Sequence, residues 1–213
     1  MIFIVLWEAG CMKKTSVVDM MIDYMNEKYD DHFEYAEPFG GKPGDKTKQI
    51  LVKSEKYPDA KIWVEHYSQN GDDAFADNYV SYKYENQTRE ALQSLLMNVF
   101  GSEVKVSYTV GLRGLRNNFT DNTSFEQYIT DPASMIVFRA FVLDNGSAVS
   151  KGDNDLKKAI DESGFVLFGT VYVTDNRDYY DEAFDLSYIE QSKIMALEIN
   201  MSAPHEFLTF KWR

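Results

Sequence analysis

Gly40-Gly41-Lys42-Pro43-Gly44-Asp45-Lys46-Thr47 comes close to a phosphate-binding loop, in which backbone N–H groups cradle an anion at the start of a helix. The chemistry fails at three points. Asp45 would set a carboxylate beside the phosphates, Pro43 withdraws a backbone donor, and residues 47–54 alternate like a strand where the loop needs a helix. The stretch reads as a hairpin turn. Ser102-Glu103-Val104-Lys105 has the spacing of a serine–lysine acylase, whose chemistry needs both side chains on one helix face. Here those residues open a strand, so Ser102 and Lys105 fall on opposite faces.

Metal chemistry finds little support. His32, His66 and His205 are isolated and form no H-x-x-x-H or H-E-x-x-H pattern. The acidic groups at Asp72-Asp73, Asp153-Asn154-Asp155 and Asp175-Asn176-Arg177-Asp178, with Asp181 and Glu182, offer hard oxygen ligands of the kind calcium takes. None follows the calcium-loop pattern. Asp153 reads as a helix cap and the last group as a solvated loop. No catalytic set, metal site or cofactor is therefore expected.

Tyrosine is the residue type left with something to do. There are 14, and a ring with a polar tip suits a contact surface because it gives area at low entropy cost. Most have the spacing of packing residues. Tyr179, Tyr180 and Tyr188 lie in the irregular acidic segment and are the expected exposed binding patch.

The 213 residues are 44% hydrophobic and carry a formal net charge of −12. Such a chain can bury its own core without staples. The charge is evenly spread: residues 1–110 hold 12 Lys/Arg against 18 Asp/Glu, and the rest 10 against 16. Nucleic acid is excluded as a partner, since its binding rests on clustered Lys and Arg. The same field opposes an electrostatic grip on anionic membranes.

Met1-Ile-Phe-Ile-Val-Leu-Trp7 is apolar but too short to span a bilayer, and Ala9-Gly10-Cys11 follows it. Small residues ahead of a cysteine resemble the cleavage site of a bacterial lipoprotein signal, with Cys11 as the lipidated residue. Residues 1–14 are read as that leader, and Glu8 and the lack of an early Lys or Arg depart from the pattern. Membrane association would run only through the lipid.

The elements follow from period. Ser16 and Asp19 form a capping box, and Val18, Met21, Ile22, Met25 and Tyr29 predict a helix with one apolar face. Strands are expected from Phe33, over 47–54 and over 61–67, as an antiparallel meander. A long helix runs from Asp77 to Gly101, followed by a strand from Val104 to Val110. After a loop at 111–122 come a short helix (124–130), strands at 134–144 and 165–174 around a helix at 153–163, and a terminal hairpin. The 165–174 strand is apolar throughout, which predicts a central place in its sheet.

The class is α+β, with antiparallel sheets and helices packed on one face. Boundaries fall at 15–110 (helix, three strands, helix, strand), a linker at 111–122, and 123–213 (strand, helix, three strands). Two similar small domains and one sheet continued across both fit this order equally. The run Tyr24-Met25-Asn26-Glu27-Lys28-Tyr29, leading to Phe33-Glu34-Tyr35 and then Asp77-Asn78-Tyr79, resembles uncharacterised lipoproteins of Gram-positive bacteria over residues 16–85. That resemblance implies a surface-anchored protein and brings no catalytic residues. The resulting expectation is a non-enzymatic binding module, lipid-anchored on the extracytoplasmic face of the cell envelope, that meets a protein or glycan partner. A hydrolase assembled from dispersed carboxylates and histidines is the rival, and the cytoplasm is the alternative location.

Overall fold

The computed structural model describes residues 16–40, 47–111, 115, 119–184 and 194–213. Cys11, the leader, the 41–46 loop and Tyr188 lie outside the described residues. Helix α1 (Val17–Lys28) starts as its sequence predicts: Ser16 Oγ accepts the Asp19 N–H at 3.1 Å, and Asp19 Oδ2 accepts the Ser16 N–H at 3.1 Å. This reciprocal cap satisfies two backbone donors that a helix start leaves bare. Met21 and Met25, one turn apart, are fully buried where α1 lies on the first sheet. Each such burial stabilises by about 1.5–3 kcal/mol.

That sheet has four antiparallel strands in sequence order, β1 (Phe33–Pro38), β2 (Lys48–Ser54), β3 (Ile62–Gln69) and β4 (Asp72–Asp77). Strand β4 is an addition to the expected meander. It turns back through Asn70 (φ 56°) and Gly71 (φ 94°), a two-residue link whose positive φ values match the twist of the strands it joins.

Helix α2 (Tyr79–Lys83) runs through a kink at Tyr84 into α3 (Glu85–Phe100), which stops at Gly101 with φ 60°, as expected for a left-handed cap. Strand β5 (Val104–Tyr108) then pairs with β6 (Ile136–Leu143) in a second sheet ordered β5-β6-β7-β8-β9. The second sheet therefore begins before the 111–122 stretch. Its pairs are antiparallel except β6 with β7 (Leu167–Thr174), and β7 is the middle strand, as its apolar run predicts. The parallel pair needs a crossover, and helices α5 (Ala148–Lys151) and α6 (Lys157–Ser163) supply it.

Between them, Gly152–Leu156 forms a π turn, so the helix runs on from Ala148 and Asp153 is not its cap. The start is held by Asp144, whose Oδ1 accepts from the N–H groups of Gly146, Ser147 and Ala148 at 2.8, 3.0 and 2.9 Å. The wide turn brings Gly152 against the Trp212 ring, where an added Cβ would stand 2.6 Å from Cζ2. Strands β8 (Met195–Ala203) and β9 (Glu206–Trp212) close the sheet as the expected hairpin.

The class is α+β; α4 (Phe125–Thr130) is the expected short helix, and Ser124 and Gln127 form a capping box at its start. One short helix, α7 (Arg177–Asp181), lies on the far face of the second sheet, where Phe184 meets Phe141. Both sheets contribute to one continuous buried cluster, from Met21 and Ile62 to Val171 and Ile199. The 111–122 stretch joins it, because Leu115 and Phe119 are buried and the Leu115 N–H donates to the Asp77 carbonyl at 2.7 Å.

Candidate functional site

Polar and aromatic groups concentrate at one end of the first sheet, where the end of α1, the start of β1, the end of β4, α2 and residues 119–123 meet. Asp77, 2% exposed, is the hub. Its Oδ2 accepts from Tyr24 Oη and Lys28 Nζ, both at 2.8 Å, and its Oδ1 accepts from Tyr29 Oη at 2.8 Å and the Tyr79 N–H at 3.0 Å. Helical spacing produces this: Tyr24 and Lys28 are four apart and share a face, and Nζ lies 2.6 Å from Tyr24 Oη. Burial, and then the Asp77 charge, push the Tyr24 and Tyr29 hydroxyls far above the usual tyrosine range. They act as hydrogen-bond donors to a fixed carboxylate.

Asp31 forms a second hub at the entry to β1. It accepts from Ser54 Oγ, the His32 N–H at 2.7 Å and the Lys56 N–H at 3.3 Å, and the Tyr79 hydroxyl is close enough to favour its charged form. Burial raises its pKa, but these donors outweigh burial and hold it below the usual aspartate value. The Tyr79 ring joins the two hubs through centroids 4.3 Å from Tyr29, 5.3 Å from Phe33 and 5.4 Å from Tyr57.

Tyr57 also lines an open cleft of about 290 Å³ with Lys56, Pro58, Asp59, Tyr82 and Glu85. The Tyr82 hydroxyl donates to the Lys61 carbonyl at 3.2 Å and accepts its N–H at 3.1 Å, which locks the ring at the cleft wall. Lys56 Nζ reaches Asp30 Oδ2 at 3.3 Å, and Glu85 pairs with Arg89 at 3.1 Å. The cleft is at the small end of ligand sites and suits one sugar ring or one polar side chain. Its two rings supply flat contact, with carboxylates and one ammonium at the rim.

Of the expected tyrosine patch, Tyr180 is not exposed, and Tyr188 lies outside the described residues. Asn176 Oδ1 accepts the Asp178 and Tyr179 N–H groups, at 2.9 and 3.3 Å, and so starts α7 in what reads as a loop. That turn directs Tyr180 inward to 3% exposure, with Lys105 Nζ 4.6 Å and Arg177 Cζ 5.6 Å from its ring centre. Tyr180 is thus a packing residue, and Tyr179 is half-buried.

The other chemistry-bearing residues take separate places. Ser102 Oγ donates to the Leu143 carbonyl and Lys105 Nζ to the Tyr180 carbonyl, so they share no function. His66 lies 2.7 Å from Asp73, His205 3.6 Å from Asp161 and His32 3.8 Å from Glu34, each on a different element. Asp153 accepts from Trp212 Nε1 at 2.6 Å, and Asp181 pairs with Arg177 at 3.1 Å. Among the described residues no group of three His, Cys, Asp or Glu side chains could hold a metal ion. Sequence reasoning missed the two hubs and the cleft. The only signal was the four-residue spacing of Tyr24 and Lys28, which names no partner.

No protein-family model matches the chain. No curated protein matches it. Among solved structures it is similar to a DUF5037 family protein from Ruminococcus gnavus ATCC 29149, at 11% identity over 88% of this chain and 92% of that one, with a TM-score of 0.43.

Proposed function

We propose that this chain is a non-enzymatic binding module of the cell envelope, tethered through a lipid on Cys11, which takes a protein or glycan partner by a small polar group in the Tyr57–Tyr82 cleft. The cleft carries this reading: it is open, walled by two rings, and backed by rings whose positions are fixed through Tyr79 to Asp31 and Asp77. Fixed aromatic walls lower the ordering cost of binding, which a recognition site needs. The carboxylates behind the cleft are saturated with donors, so they serve as scaffold and keep the rings in place. The tether is supported by the apolar run ahead of Ala9-Gly10-Cys11.

Two measurements test it. Titrating the protein with single sugars and short polar peptides should move amide resonances at Tyr57, Ala60, Lys61 and Tyr82, and Tyr82→Ala should remove the response. Shifts confined to other surfaces, or unchanged by that substitution, would defeat the cleft. A fatty-acid label in the producing cell should enter the wild type and not Cys11→Ser, and a wild type without label would defeat the tether.

A further inference from the structure

The strand residues on the far face of the second sheet carry a charge opposite to that of the chain. Pairing registers place Lys105 and Ser107 of β5, Val137 and Arg139 of β6, Phe168 and Thr170 of β7, Glu198 and Asn200 of β8, and Thr209 and Lys211 of β9 on this face, with Arg213 beside Ala196. On the strands Lys105, Arg139, Lys211 and Arg213 stand against Glu198, whereas the whole chain has 22 basic and 34 acidic residues; α7, over one end of the face, adds Arg177, Asp178, Asp181 and Glu182, with Asp181 3.9 Å from Lys105 Nζ. Glu198 is itself neutralised by Arg213 at 2.7 Å. Lys105 is spent on the carbonyls closing α7, at 2.8 and 3.1 Å. Arg139 and Lys211 are exposed and form no ion pair among the described residues.

Among the described residues, only part of this face is covered. Helix α7 and Phe184 lie over the Phe141–Tyr172 end, where those rings stack at 4.8 Å. The next row across the strands is Ser107, Arg139, Thr170, Glu198, Lys211, and Val137 beyond it is 51% exposed. Three strand spacings separate Arg139 from Lys211, about 14 Å.

We infer that this uncovered row is a docking surface for an extended anionic glycan. This row shares no residue with the Tyr57–Tyr82 cleft. Unpaired cations on an otherwise acidic protein attract an anionic partner to this row and repel a cationic one. The backbone of the inner strands is used in ladder pairing, so this face offers side chains only. That disfavours a peptide, which binds sheets through edge backbone or apolar pockets. Ser107, Thr170, Asn200 and Thr209 offer donors and acceptors together, which match the hydroxyls of a sugar chain. Arg139 and Lys211 then meet its carboxylates or phosphates as charge-assisted contacts.

The test is electrophoresis of the full chain through gels containing polygalacturonate, neutral pullulan or poly-glutamate. The wild type should be retarded by polygalacturonate alone, and added salt should weaken the effect. Arg139→Glu with Lys211→Glu should lose affinity by at least about ten-fold, the loss of two charge-assisted contacts. Lys158→Glu, an exposed change on α6, should bind as the wild type does. Arg139→Gln and Lys211→Gln singly, each at an exposed side chain, give the same reading should the double variant misfold. No retardation of the wild type, equal retention of the double variant, or equal retardation by poly-glutamate would each overturn the inference.

Discussion

Replacing Asp77 by alanine removes the acceptor of three side-chain donors and one backbone N–H in a single step. Counting each charged hydrogen bond separately at about 1.5–3 kcal/mol would give a sum larger than many whole proteins' stability. The geometry argues for less, because the donors have other partners. Lys28 Nζ keeps Tyr24 Oη at 2.6 Å, Tyr29 Oη has the Phe119 carbonyl at 3.4 Å, and the Lys28 side chain is 14% exposed. What remains is the stranding of a mostly buried ammonium, about 3–5 kcal/mol when one partner of a buried pair is removed, and the partial exposure favours about 3. Urea unfolding followed by tryptophan fluorescence measures it. Lys28→Met should restore at least about 1.5 kcal/mol when added to Asp77→Ala, since it deletes the stranded charge. A loss under about 1 kcal/mol for Asp77→Ala, or costs that simply add, would refute the hub.

The Tyr24 and Tyr29 hydroxyls, raised by burial and then by Asp77, stabilise the fold fully below the unfolded tyrosine value of about 10 and lose that contribution progressively as pH rises above it towards their raised folded values. Tyrosinate absorbance for these two should therefore appear only together with loss of helical circular dichroism, and full ionisation of a folded protein would contradict this. Asp31, whose donors outweigh burial, contributes stability above about pH 3.9 that is lost as pH falls through its lower folded value. Ser54→Ala should move the acid unfolding midpoint upward. Gly169→Ala would drive a Cβ into the Phe138 carbonyl oxygen, which no rotamer relieves, and should cost about 3 kcal/mol or prevent folding. Gly152→Ala meets the rim of the Trp212 ring and should cost about 1–2 kcal/mol, visible as a change in tryptophan fluorescence.

Capping chemistry was readable because it is local: Ser16 with Asp19, and Gly101, each lie within a turn of the helix end they define. The central place of β7 was readable because its sequence is apolar with little alternation. Strand β4 escaped because Asp72 and Asp73 hide its pattern, although Asn70-Gly71 is a strong hairpin signal. The assignment of β5 to the second sheet escaped because pairing is nonlocal and a strand's residues do not name their neighbour. Tyr180 misled for a related reason. An acidic, irregular stretch reads as solvated, yet one Asn176 cap turns the ring toward the sheet. The Asp77 hub joins residues about 50 positions apart, as with Tyr24 and Asp77, and no spacing rule reaches that far.

The pairing of β5 with β6 also bears on how the chain leaves the ribosome. Tyr108 is extruded well before Phe138, its neighbour in the finished sheet, while the four-stranded meander is already complete. During that interval Val104, Val106 and Tyr108 form a bare β edge that invites aggregation. Helix α3, synthesised just before and lying against β5, shields one side of it. The other side waits for later residues, which makes this stage of synthesis the one at which a chaperone has most to hold.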